Sequence, residues 1–331
     1  MASRIGFIGD VMLGRVVDDR QRHRPVDAVW GTAFEDLREL DGLVINLECV
    51  LSTRGRQWRR THRPFHFRAD PDWAVPALER AGVDVCALAN NHVLDYEAVA
   101  LRDTLNHLDE AEIARTGAGE TLDEALEPAV VSIGGVRIAV IALTDNTPEY
   151  AAEDSSAGTA WIEIDRENPE TRRRVRDALE RARGADPDLL VASLHWGPNM
   201  VEEPPASFRE FGRWLVEAGV DVVHGHSAHV FQGVEVHEGR PILYDTGDFV
   251  DDYAVDPELR NDRSFLFVLR TSDDGELLKL RLQPTEIDDC AVHEASPDAA
   301  DWSRERMREL SAPFGTVFER DGPALVLSLE D

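Results

Sequence analysis

The chain has 331 residues, of which 43% are hydrophobic, and it carries a formal net charge of −29. This apolar fraction is typical of a globular protein with a sizeable core, and it excludes a disordered chain. A surface this negative repels phosphate backbones and anionic lipids, so we expect neither nucleic acid nor an anionic membrane as a partner.

The same composition leads to two hypotheses about where the protein works. Arginine supplies nearly all of the positive charge, since Lys279 is the sole lysine. Dense carboxylates stay hydrated in concentrated salt, which also screens their repulsion, so we hypothesise a halophilic source. The sequence has no run of about 20 apolar residues that would cross a membrane. Its first residues lack the basic and long apolar regions of a signal peptide, so we expect a cytoplasmic protein.

Short apolar runs alternate with amphipathic patterns along most of the chain, which predicts an α/β fold. An aspartate or asparagine followed by proline marks two helix starts, at residues 70–71 and 168–169. The predicted strands are Arg4–Gly9, Gly42–Asn46, Val83–Ala89, Val136–Leu143, Leu189–Leu194, Asp221–His224, Pro241–Asp245 and Ser264–Arg270. The predicted helices are Pro71–Ala81, Tyr96–Asp109, Pro169–Arg183 and Pro205–Ala218.

The later part of the chain changes character, because strand follows strand from about residue 230 to 285. We expect Glu238 with Gly239, and the residues 273–275, to turn two hairpins there. An amphipathic helix over Asp298–Leu310 opens a C-terminal segment, about 298–331, that we expect to be helical. The preferred architecture is a single domain, residues 1–331, with two facing sheets in a core of about residues 4–285.

Six of the predicted strands are followed directly by side chains of metal-binding type. Open α/β sheets bind ligands outside the carboxyl ends of their strands, so these side chains are expected to meet. Any one of them alone would also fit an ordinary loop or cap. The residues are Asp10, Asn46 with Glu48, Asn90 to His92, His195, His224 with His226 and His229, and Asp245 with Asp248.

This mixture of imidazole and carboxylate suits manganese, iron or zinc. Two such ions about 4 Å apart share a bridging carboxylate and hydroxide, activate that water and hold the oxygens of a phosphoryl centre. Glu48 stands on a short tether at a strand end, which suits the bridging position. A cap or a solvated turn is the alternative interpretation of Glu48.

Six short segments of the chain occur in a recognisable order between about residues 5 and 253. They are GDVMLGR, NLE, ANNHVLDY, HWG, GHSAHVFQGVEV and ILYDTGDF. In this order they resemble the CapA family of poly-γ-glutamate capsule proteins, within the calcineurin-like metallophosphoesterase superfamily. The resemblance implies a four-layer α/β/β/α sandwich with one or two divalent metal ions at the strand ends. It also implies an anionic small molecule or polyglutamate as the substrate.

The resemblance also assigns roles to single residues. Glu48 takes the place of the family's bridging aspartate, and His92 matches the histidine that protonates the leaving oxygen. The metal ligands implied in the same way are Asp10, Glu48, Asn91, His195, His226 and His229.

Three departures from the superfamily pattern bear on the metals. Met12 stands where a histidine ligand is usual, and Glu48 is one methylene longer than aspartate. His226 and His229 are spaced more widely than the usual pair, whereas His224 and His226 have the usual spacing, so the partner of His226 stays open. We therefore expect one firm metal site and a second, weaker one. The first comprises Glu48, Asn91, His195 and His226, and the second Asp10, Glu48 and His229.

Three residues are candidate substrate contacts, namely Arg15, Asn46 and Arg63. For Arg15 a surface salt bridge is the alternative. Arg63 lies in the segment RRTHRPFHFRADP, which is unusually basic for this chain. That segment is expected either to form an anion-binding loop over the metals or to balance nearby carboxylates.

Two aspartates near the motifs have competing roles. We expect Asp95 to cap the following helix in preference to accepting a hydrogen bond from His92. Asp248 is expected either to orient a ligand histidine or to serve as a turn residue.

The leading hypothesis is a metal-dependent hydrolase that uses a metal-activated hydroxide on a phosphoester or a related centre, such as a γ-glutamyl amide, in poly-γ-glutamate metabolism. The alternative is a non-catalytic binding or scaffold protein of poly-γ-glutamate biosynthesis with a structural metal. Met12 and the spacing of the last histidines favour this alternative.

Overall fold

The computed structural model describes residues 2–330. Within that range the α-helices are α1 (Arg15–Gln21), α2 (Phe34–Arg38), α3 (Pro71–Ala81), α4 (Glu97–Glu110), α5 (Leu122–Ala125), α6 (Pro169–Gly184), α7 (Ala206–Glu217) and α8 (Pro297–Ser311). Short 3-10 helices lie at Val26–Ala33, Pro148–Tyr150 and Ala312–Phe314. The strands are β1 (Ser3–Val11), β2 (Gly42–Leu47), β3 (Val50–Leu51), β4 (Arg68–Ala69), β5 (Val83–Ala87), β6 (Ala114–Thr116), β7 (Ala118–Gly119), β8 (Ala129–Ile133), β9 (Val136–Thr144), β10 (Gly158–Thr159), β11 (Leu189–His195), β12 (Val222–His226), β13 (Val234–His237), β14 (Arg240–Leu243), β15 (Asp248–Val250), β16 (Arg263–Thr271), β17 (Leu277–Asp288), β18 (Ala291–Glu294), β19 (Glu319–Asp321) and β20 (Ala324–Ser328).

Two large sheets organise the described part of the chain. The first has ten strands, with the order β19-β20-β17-β16-β1-β2-β5-β6 and with β15 paired to β1 and β18 to β17. The second has six strands, in the order β13-β14-β12-β11-β9-β8. Strands β1, β2, β5 and β6 run parallel in the first sheet, as do β9, β11, β12 and β14 in the second. Their carboxyl ends therefore lie at a common edge within each sheet.

The two sheets face each other, and helices cover both outer faces. Phe7 of β1 points into the core between the sheets, where it joins Phe267 and Val191. The next residue, Ile8, points to the opposite face and packs in the core under α3 and α4, as period-two alternation requires. On the second sheet, α6 and α7 cover a third core, which contains Leu215. The α/β fold and the four-layer α/β/β/α sandwich predicted from the sequence are confirmed.

Helix α3 shows how local sequence fixes an element. Asp70 occupies the N-cap, and its side chain accepts a hydrogen bond from the Asp72 amide. Pro71 follows at the first helical position, where its missing amide hydrogen has no helical partner to lose. Gly82 ends the helix with φ +72°, a left-handed conformation that favours glycine. The predicted bounds, 71–81, are therefore those observed.

The two predicted hairpins are present, but the C-terminal prediction is wrong in part. Strands β13 and β14 pair antiparallel across residues 238–239, as do β16 and β17 across residues 273–275. The C-terminal segment is helical only as far as Ser311 and a short 3-10 turn, after which β19 and β20 extend the first sheet beside β17. The physical reason is an alternating pattern: Leu325 and Leu327 are buried between the sheets, and Val326 faces outward.

Among the described residues, no helix has both the length and the apolar character needed to cross a membrane.

Candidate metal centre

The strand ends of both sheets bring the predicted ligands into one buried cluster. Asp10 of β1 is in register with Asn46 of β2 and with Asp248 of β15. His195 ends β11 directly opposite His226 of β12. All five side chains are at most 1% exposed, so polar groups from two sheets meet away from solvent.

Gly9 makes this convergence possible. A Cβ atom at this position would lie 1.8 Å from the carbonyl oxygen of Gly247. Because glycine has none, the chain after β14 can approach β1, and the Asp10 amide donates a 3.0 Å hydrogen bond to the Gly247 carbonyl. The close approach places Asp10 and Asp248 side by side.

One group of candidate ligands consists of Asp10, His195 and His226. The Nδ1 atoms of the two histidines lie 3.0 Å apart, and each is 3.7 Å from Asp10 Oδ1. Ser193 Oγ lies 2.8 Å from Nε2 of His226 and orients that ring. A single cation among these three atoms would contact them all.

A second group consists of Asp10, Glu48 and His229. Nδ1 of His229 lies 3.4 Å from Asp10 Oδ2 and 2.9 Å from Asp248 Oδ1. The hydroxyl of Tyr253 donates a 3.1 Å hydrogen bond to Glu48 Oε2, which leaves Oε1 directed elsewhere. Asp248 therefore contacts a candidate ligand histidine, in agreement with the first of the two roles predicted for it.

The two groups share Asp10, which differs from the predicted grouping. We expected Glu48 to occupy the shared position and Asp10 to belong to the weaker site alone. Asp10 instead directs Oδ1 toward His195 and His226 and Oδ2 toward His229. Glu48 Oε1 lies 3.9 Å from His195 Nε2, so it borders the first group without joining it. Asp10 is shared because β1 is an inner strand of the first sheet. From there the Asp10 side chain reaches His195 and His226 of the second sheet.

The charges in the cluster follow from burial and close contacts. Burial raises the pKa of Asp10, but His229, whose Nδ1 approaches Oδ2 to 3.4 Å, and the electrostatic influence of His195 and His226 outweigh it and hold that pKa below its usual value. Burial lowers the pKa of His195 to about 3 and that of His226 well below its usual value. Both rings are therefore neutral at pH 7, with lone pairs available to a metal.

His229 and Glu48 shift in the other direction. Burial lowers the pKa of His229, but Asp248 and Asp10 outweigh it and raise the pKa well above its usual value. Burial and the charge of Asp10 raise the pKa of Glu48. The upward shift of His229 beside two carboxylates indicates that this part of the cluster favours positive charge, which a metal ion would also supply.

Unpaired oxygen atoms show that these residues fit a divalent ion. In the part of the chain that the structure describes, Asp10 Oδ2, Glu48 Oε1 and Asn91 Oδ1 are buried and have no hydrogen-bond partner. Buried polar atoms are nearly always paired, so the unpaired oxygens of Asp10 and Glu48, together with Oδ2 of Asp248 beside them, require an explanation. Together with two neutral imidazoles they form the mixed oxygen and nitrogen donor set that manganese, iron and zinc accept.

His92 and Asp95 form a hydrogen-bonded pair beside the cluster. Nδ1 of His92 lies 2.6 Å from Asp95 Oδ2, and Nε2 lies 3.8 Å from Glu48 Oε1. Asp95 also accepts hydrogen bonds from the Tyr150 hydroxyl and the Phe67 amide, while Phe67 stacks on the His92 ring at 3.8 Å. The prediction that Asp95 caps the following helix is wrong. The N-cap of α4 is Tyr96 and has no side-chain cap, because Asp95 turns back to the histidine.

A cavity of about 570 Å³ opens beside the cluster. Asn91, His92 and His229 line it, together with Arg15 and Arg63. It therefore connects the candidate ligands and His92 with solvent.

The two arginines of the cavity are held by their neighbours. Arg63 donates a 2.7 Å hydrogen bond to Thr147 and another to the carbonyl of Asn91. Arg15 lies over the ring of Phe65 at 5.2 Å and pairs with Asp252 at 3.4 Å. Each guanidinium is thus fixed in place while it borders the cavity.

Asn46 does not reach the cavity, which differs from its predicted role as a substrate contact. Its amide nitrogen donates a 2.7 Å hydrogen bond to Asp10 Oδ1, and its oxygen accepts one from Asn90. The amide of Asn90 also donates to the Leu47 carbonyl, so both asparagines are satisfied within the core. Asn46 therefore positions Asp10.

The basic segment reaches the cavity chiefly through Arg63. Arg60 lies over the ring of Trp58 at 4.7 Å, and Arg68 lies over that of Tyr96 at 4.1 Å. We expected several cations of this segment at the site, but most of its arginines stack on aromatic rings. Arg63 is the arginine of this segment that borders the cavity.

A match to a protein family covers all of the candidate ligands. Residues 4–253 match the model of the bacterial capsule synthesis protein family PGA_cap. The chain belongs to this family. The matched range contains Asp10 through His229 and excludes the C-terminal strands β19 and β20.

Curated relatives agree with membership of PGA_cap. A probable polyglutamine synthesis accessory protein of Mycobacterium tuberculosis is 32% identical over 93% of this chain and 90% of its own length. The capsule biosynthesis protein CapA of Bacillus anthracis is 29% identical over 74% of this chain and 59% of its own. The PGA biosynthesis protein CapA of Bacillus subtilis is 27% identical over 88% of this chain and 72% of its own. The resemblance to CapA proteins predicted from the sequence is confirmed.

Within this PGA_cap chain, His224 belongs to neither ligand group, although its ring lies 5.2 Å from that of His226. His224 is fully buried, lies 3.4 Å from Ser193 Oγ and 3.2 Å from Thr246 Oγ1, and packs on the edge of Phe7. His229 instead reaches Asp10, although it is absent from β12 and follows it in a loop. The loop bends at His229 itself, where φ is +60°.

Sequence reasoning missed two contributors to the site, Tyr253 and Tyr150. Tyr253 holds Glu48, and Tyr150 holds Asp95. Neither tyrosine directly follows a strand of the parallel sets, so a search for polar residues at strand ends could not find them. The only signal for Tyr253 is its position two residues beyond Asp251 in an acidic segment.

Proposed function

We propose that this PGA_cap chain is a metal-dependent hydrolase that acts on a phosphoester or on a γ-glutamyl amide. The observation that carries the proposal is the pair of ligand groups that share Asp10 and adjoin His92 beside an open cavity. A purely structural metal would have no need of a solvent-connected cavity or of a histidine next to it.

The ligands we propose are Asp10, His195 and His226 for one ion and Asp10, Glu48 and His229 for another, with Asn91 available through its unpaired oxygen. Divalent ions bound there would supply an activated water nucleophile and would neutralise charge on the reacting oxygens. The donor set favours manganese, iron or zinc.

His92 is the proposed proton-transferring residue. Asp95 accepts the hydrogen of Nδ1, which directs Nε2 toward Glu48 and the ligand groups. Burial lowers the pKa of His92 below its usual value, and the charge and hydrogen bond of Asp95 offset this only in part. Because Nδ1 faces Asp95, Nε2 is the atom that would pass a proton to the departing oxygen or nitrogen.

The cavity walls favour an anionic substrate. Arg15 and Arg63 border a space of about 570 Å³, which accommodates a small molecule or the end of a polymer. Relatives in Mycobacterium tuberculosis and Bacillus subtilis are named for polyglutamine synthesis and PGA biosynthesis. We extend that chemistry to this chain and propose poly-γ-glutamate, or a compound derived from it, as one substrate class.

The experiment is a hydrolysis assay with purified protein and added manganese. An activated phosphodiester and a γ-glutamyl amide are the two substrates. We expect turnover of at least one, and we expect His92→Ala to lower it by about 100-fold or more. The control is His62→Ala, which removes an exposed histidine from a neighbouring loop. Full metal loading without turnover of either substrate would contradict the proposal.

The scaffold alternative has one observation in its favour. Met12 occupies the position of a usual histidine ligand, is fully buried and accepts a 3.1 Å hydrogen bond at Sδ from the Gly14 amide. It therefore supplies no imidazole to the second group. Elemental analysis combined with a polyglutamate binding assay separates the two functions: tight polymer binding with no turnover by the metal-loaded protein would support the scaffold.

A further inference from the structure

A transverse row of cations crosses the outer face of the ten-stranded sheet, far from the metal centre. Arg4 of β1 is in register with Arg270 of β16, and Arg270 is in register with Lys279 of β17. Adjacent strands are about 4.8 Å apart, so three positive side chains stand side by side. Like charges directly opposite one another destabilise a sheet. In a chain of net charge −29 this row is unexpected.

Two of the three cations of the row, Arg270 and Lys279, lack protein partners. Arg4 pairs with Glu39 at 3.4 Å and with Asp41 at 3.9 Å. Among residues 2–330, by contrast, neither Arg270 nor Lys279 forms an ion pair or a side-chain hydrogen bond. The Nε atom of Arg270 is also buried and unpaired, which costs free energy unless an acceptor is supplied.

Space for a ligand lies on both sides of this pair. A cavity of about 260 Å³ on one side has an apolar floor of Leu266 and Val268 and is bordered by Arg281 and by three carboxylates, of which Glu39 pairs with Arg4 and Asp321 with Arg281. A cavity of about 450 Å³ on the other side is bordered by Val317, which is 78% exposed, and by Glu319 and Glu330 at its rim. Both cavities include Arg270 and Lys279, so the two form one groove with the unpaired cations at its middle.

We propose that this groove binds a phosphoryl group between Arg270 and Lys279. Two adjacent cations match the charge of a phosphate monoester, about −1.5 to −2 near neutral pH, better than that of one carboxylate. The arginine fork donates two parallel hydrogen bonds to such a group, and lysine adds a point charge. The apolar side chains of Leu266 and Val268 on one side and of Val317 on the other would hold the organic part of the ligand.

This site is separate from the metal centre and does not depend on the proposed hydrolase activity. Arg4 and Asp10 stand six residues apart on β1, which places the row about 20 Å from the ligand groups at about 3.3 Å per residue. The candidate ligands also lie at the strand ends, whereas the row lies on an outer sheet face.

The test is calorimetric titration of the whole chain at constant ionic strength with inorganic phosphate, ADP and succinate. The variants are Arg270→Gln, Lys279→Gln and the double substitution. The matched control is Arg308→Gln, which removes an exposed arginine from α8. We expect saturable binding of ADP or phosphate, at least tenfold weaker in each groove variant and unchanged in the control. Tighter binding of ADP than of phosphate would identify an organic phosphate, and equal binding would identify phosphate alone; both support the site.

Three results would overturn the proposal. The first is the absence of saturable binding by both phosphate and ADP. The second is binding that persists in the double variant, since it would place the anion elsewhere. The third is equal binding of succinate, which would remove the preference for phosphoryl groups. The ligand-free variants are expected to unfold at the same temperature as the wild type or at a higher one, because each substitution removes like-charge repulsion. A clear fall in the unfolding temperature would also contradict the proposal, because it would show that the cation row stabilises the fold.

Discussion

At the scale of single residues, Asp10 is the most consequential side chain of the metal centre. Its two oxygens face different histidine groups, and Asn46 fixes the carboxylate from behind. A residue shared in this way couples the two groups, so loss of Asp10 affects both. Loss of Glu48 removes a member of only one group.

This difference predicts the metal content of two variants. Asp10→Asn is expected to lose all tightly bound metal, because an amide is a weaker ligand than a carboxylate and both groups need it. Glu48→Gln is expected to keep one ion per chain, held by Asp10, His195 and His226. Elemental analysis after gel filtration measures both. Loss of both ions in Glu48→Gln would show that Glu48 is the shared ligand after all.

In the proposed reaction, Asp95 acts through His92. We expect Asp95→Asn to lower turnover by about 10- to 100-fold, because the amide lacks the charge of the carboxylate and has one accepting oxygen to serve His92, Phe67 and Tyr150. Metal content is expected to stay unchanged, since Asp95 belongs to neither ligand group. Parallel measurement of turnover and metal distinguishes a positioning role from general unfolding, which would lower both.

Asp145 gives a prediction for stability against pH. Burial raises its pKa to about 6 from a usual value of 3.8. The folded state then binds more protons than the unfolded state between pH 4 and 6, so this group makes stability fall as pH rises through that range. Asp145→Asn keeps an oxygen for the Gly197 amide and is expected to flatten that fall. At pH 7 it should stabilise the fold by about 1 kcal/mol, as denaturant unfolding at pH 4 and pH 7 would measure. An unchanged pH profile would contradict the assignment.

At the scale of elements, the parallel strands were the easiest to predict and the C-terminal strands the hardest. Strands β1, β2, β9 and β11 are continuous apolar runs, because both faces of each are buried. Strand β20 is a short alternating run that follows a helix, and it becomes a strand by pairing with β17. Its identity therefore depends on a partner more than 40 residues earlier in the chain.

The C-terminal strands are expected to contribute to the stability of the whole sandwich. Leu325 is fully buried between the sheets, whereas its neighbour Val326 is half-buried on the outer face. Leu325→Ala is expected to lower the free energy of unfolding by about 2–5 kcal/mol. Val326→Ala serves as the control and is expected to lower it by about 1 kcal/mol or less. Equal effects of the two substitutions would show that β20 packs only loosely.

At the scale of the whole molecule, charge dominates the response to solvent. The chain has 64 acidic and 35 basic residues, and many of its arginines are paired with carboxylates at the surface. Such exposed pairs contribute little each, and most of the excess negative charge has no partner to balance it. Salt is therefore the natural means of weakening the repulsion.

We expect the melting temperature to rise when sodium chloride is increased from 0.1 M to 2 M. The screening length falls from about 10 Å at 0.1 M to about 3 Å at 1 M, so repulsion between separated carboxylates is largely removed. A thermal unfolding series measures this directly. A melting temperature that stays constant, or falls, would contradict the halophilic hypothesis.

The sequence by itself determined the α/β alternation and the chemical types at the strand ends. Those features are local: apolar runs, helix caps and the residues that follow them. Asp10, Glu48, His195 and His226 could be selected in this way, and they do converge in the structure.

Only the tertiary structure decided how those residues group. The distances between Asp10, His195 and His229 depend on the order of strands within each sheet and on how the two sheets stack, and neither is encoded in local spacing. The same holds for Asn46. Its position in the chain predicts that it lies at the site, but the register of the sheet sets it behind Asp10. The cation row of Arg4, Arg270 and Lys279 likewise exists only because three distant strands lie side by side.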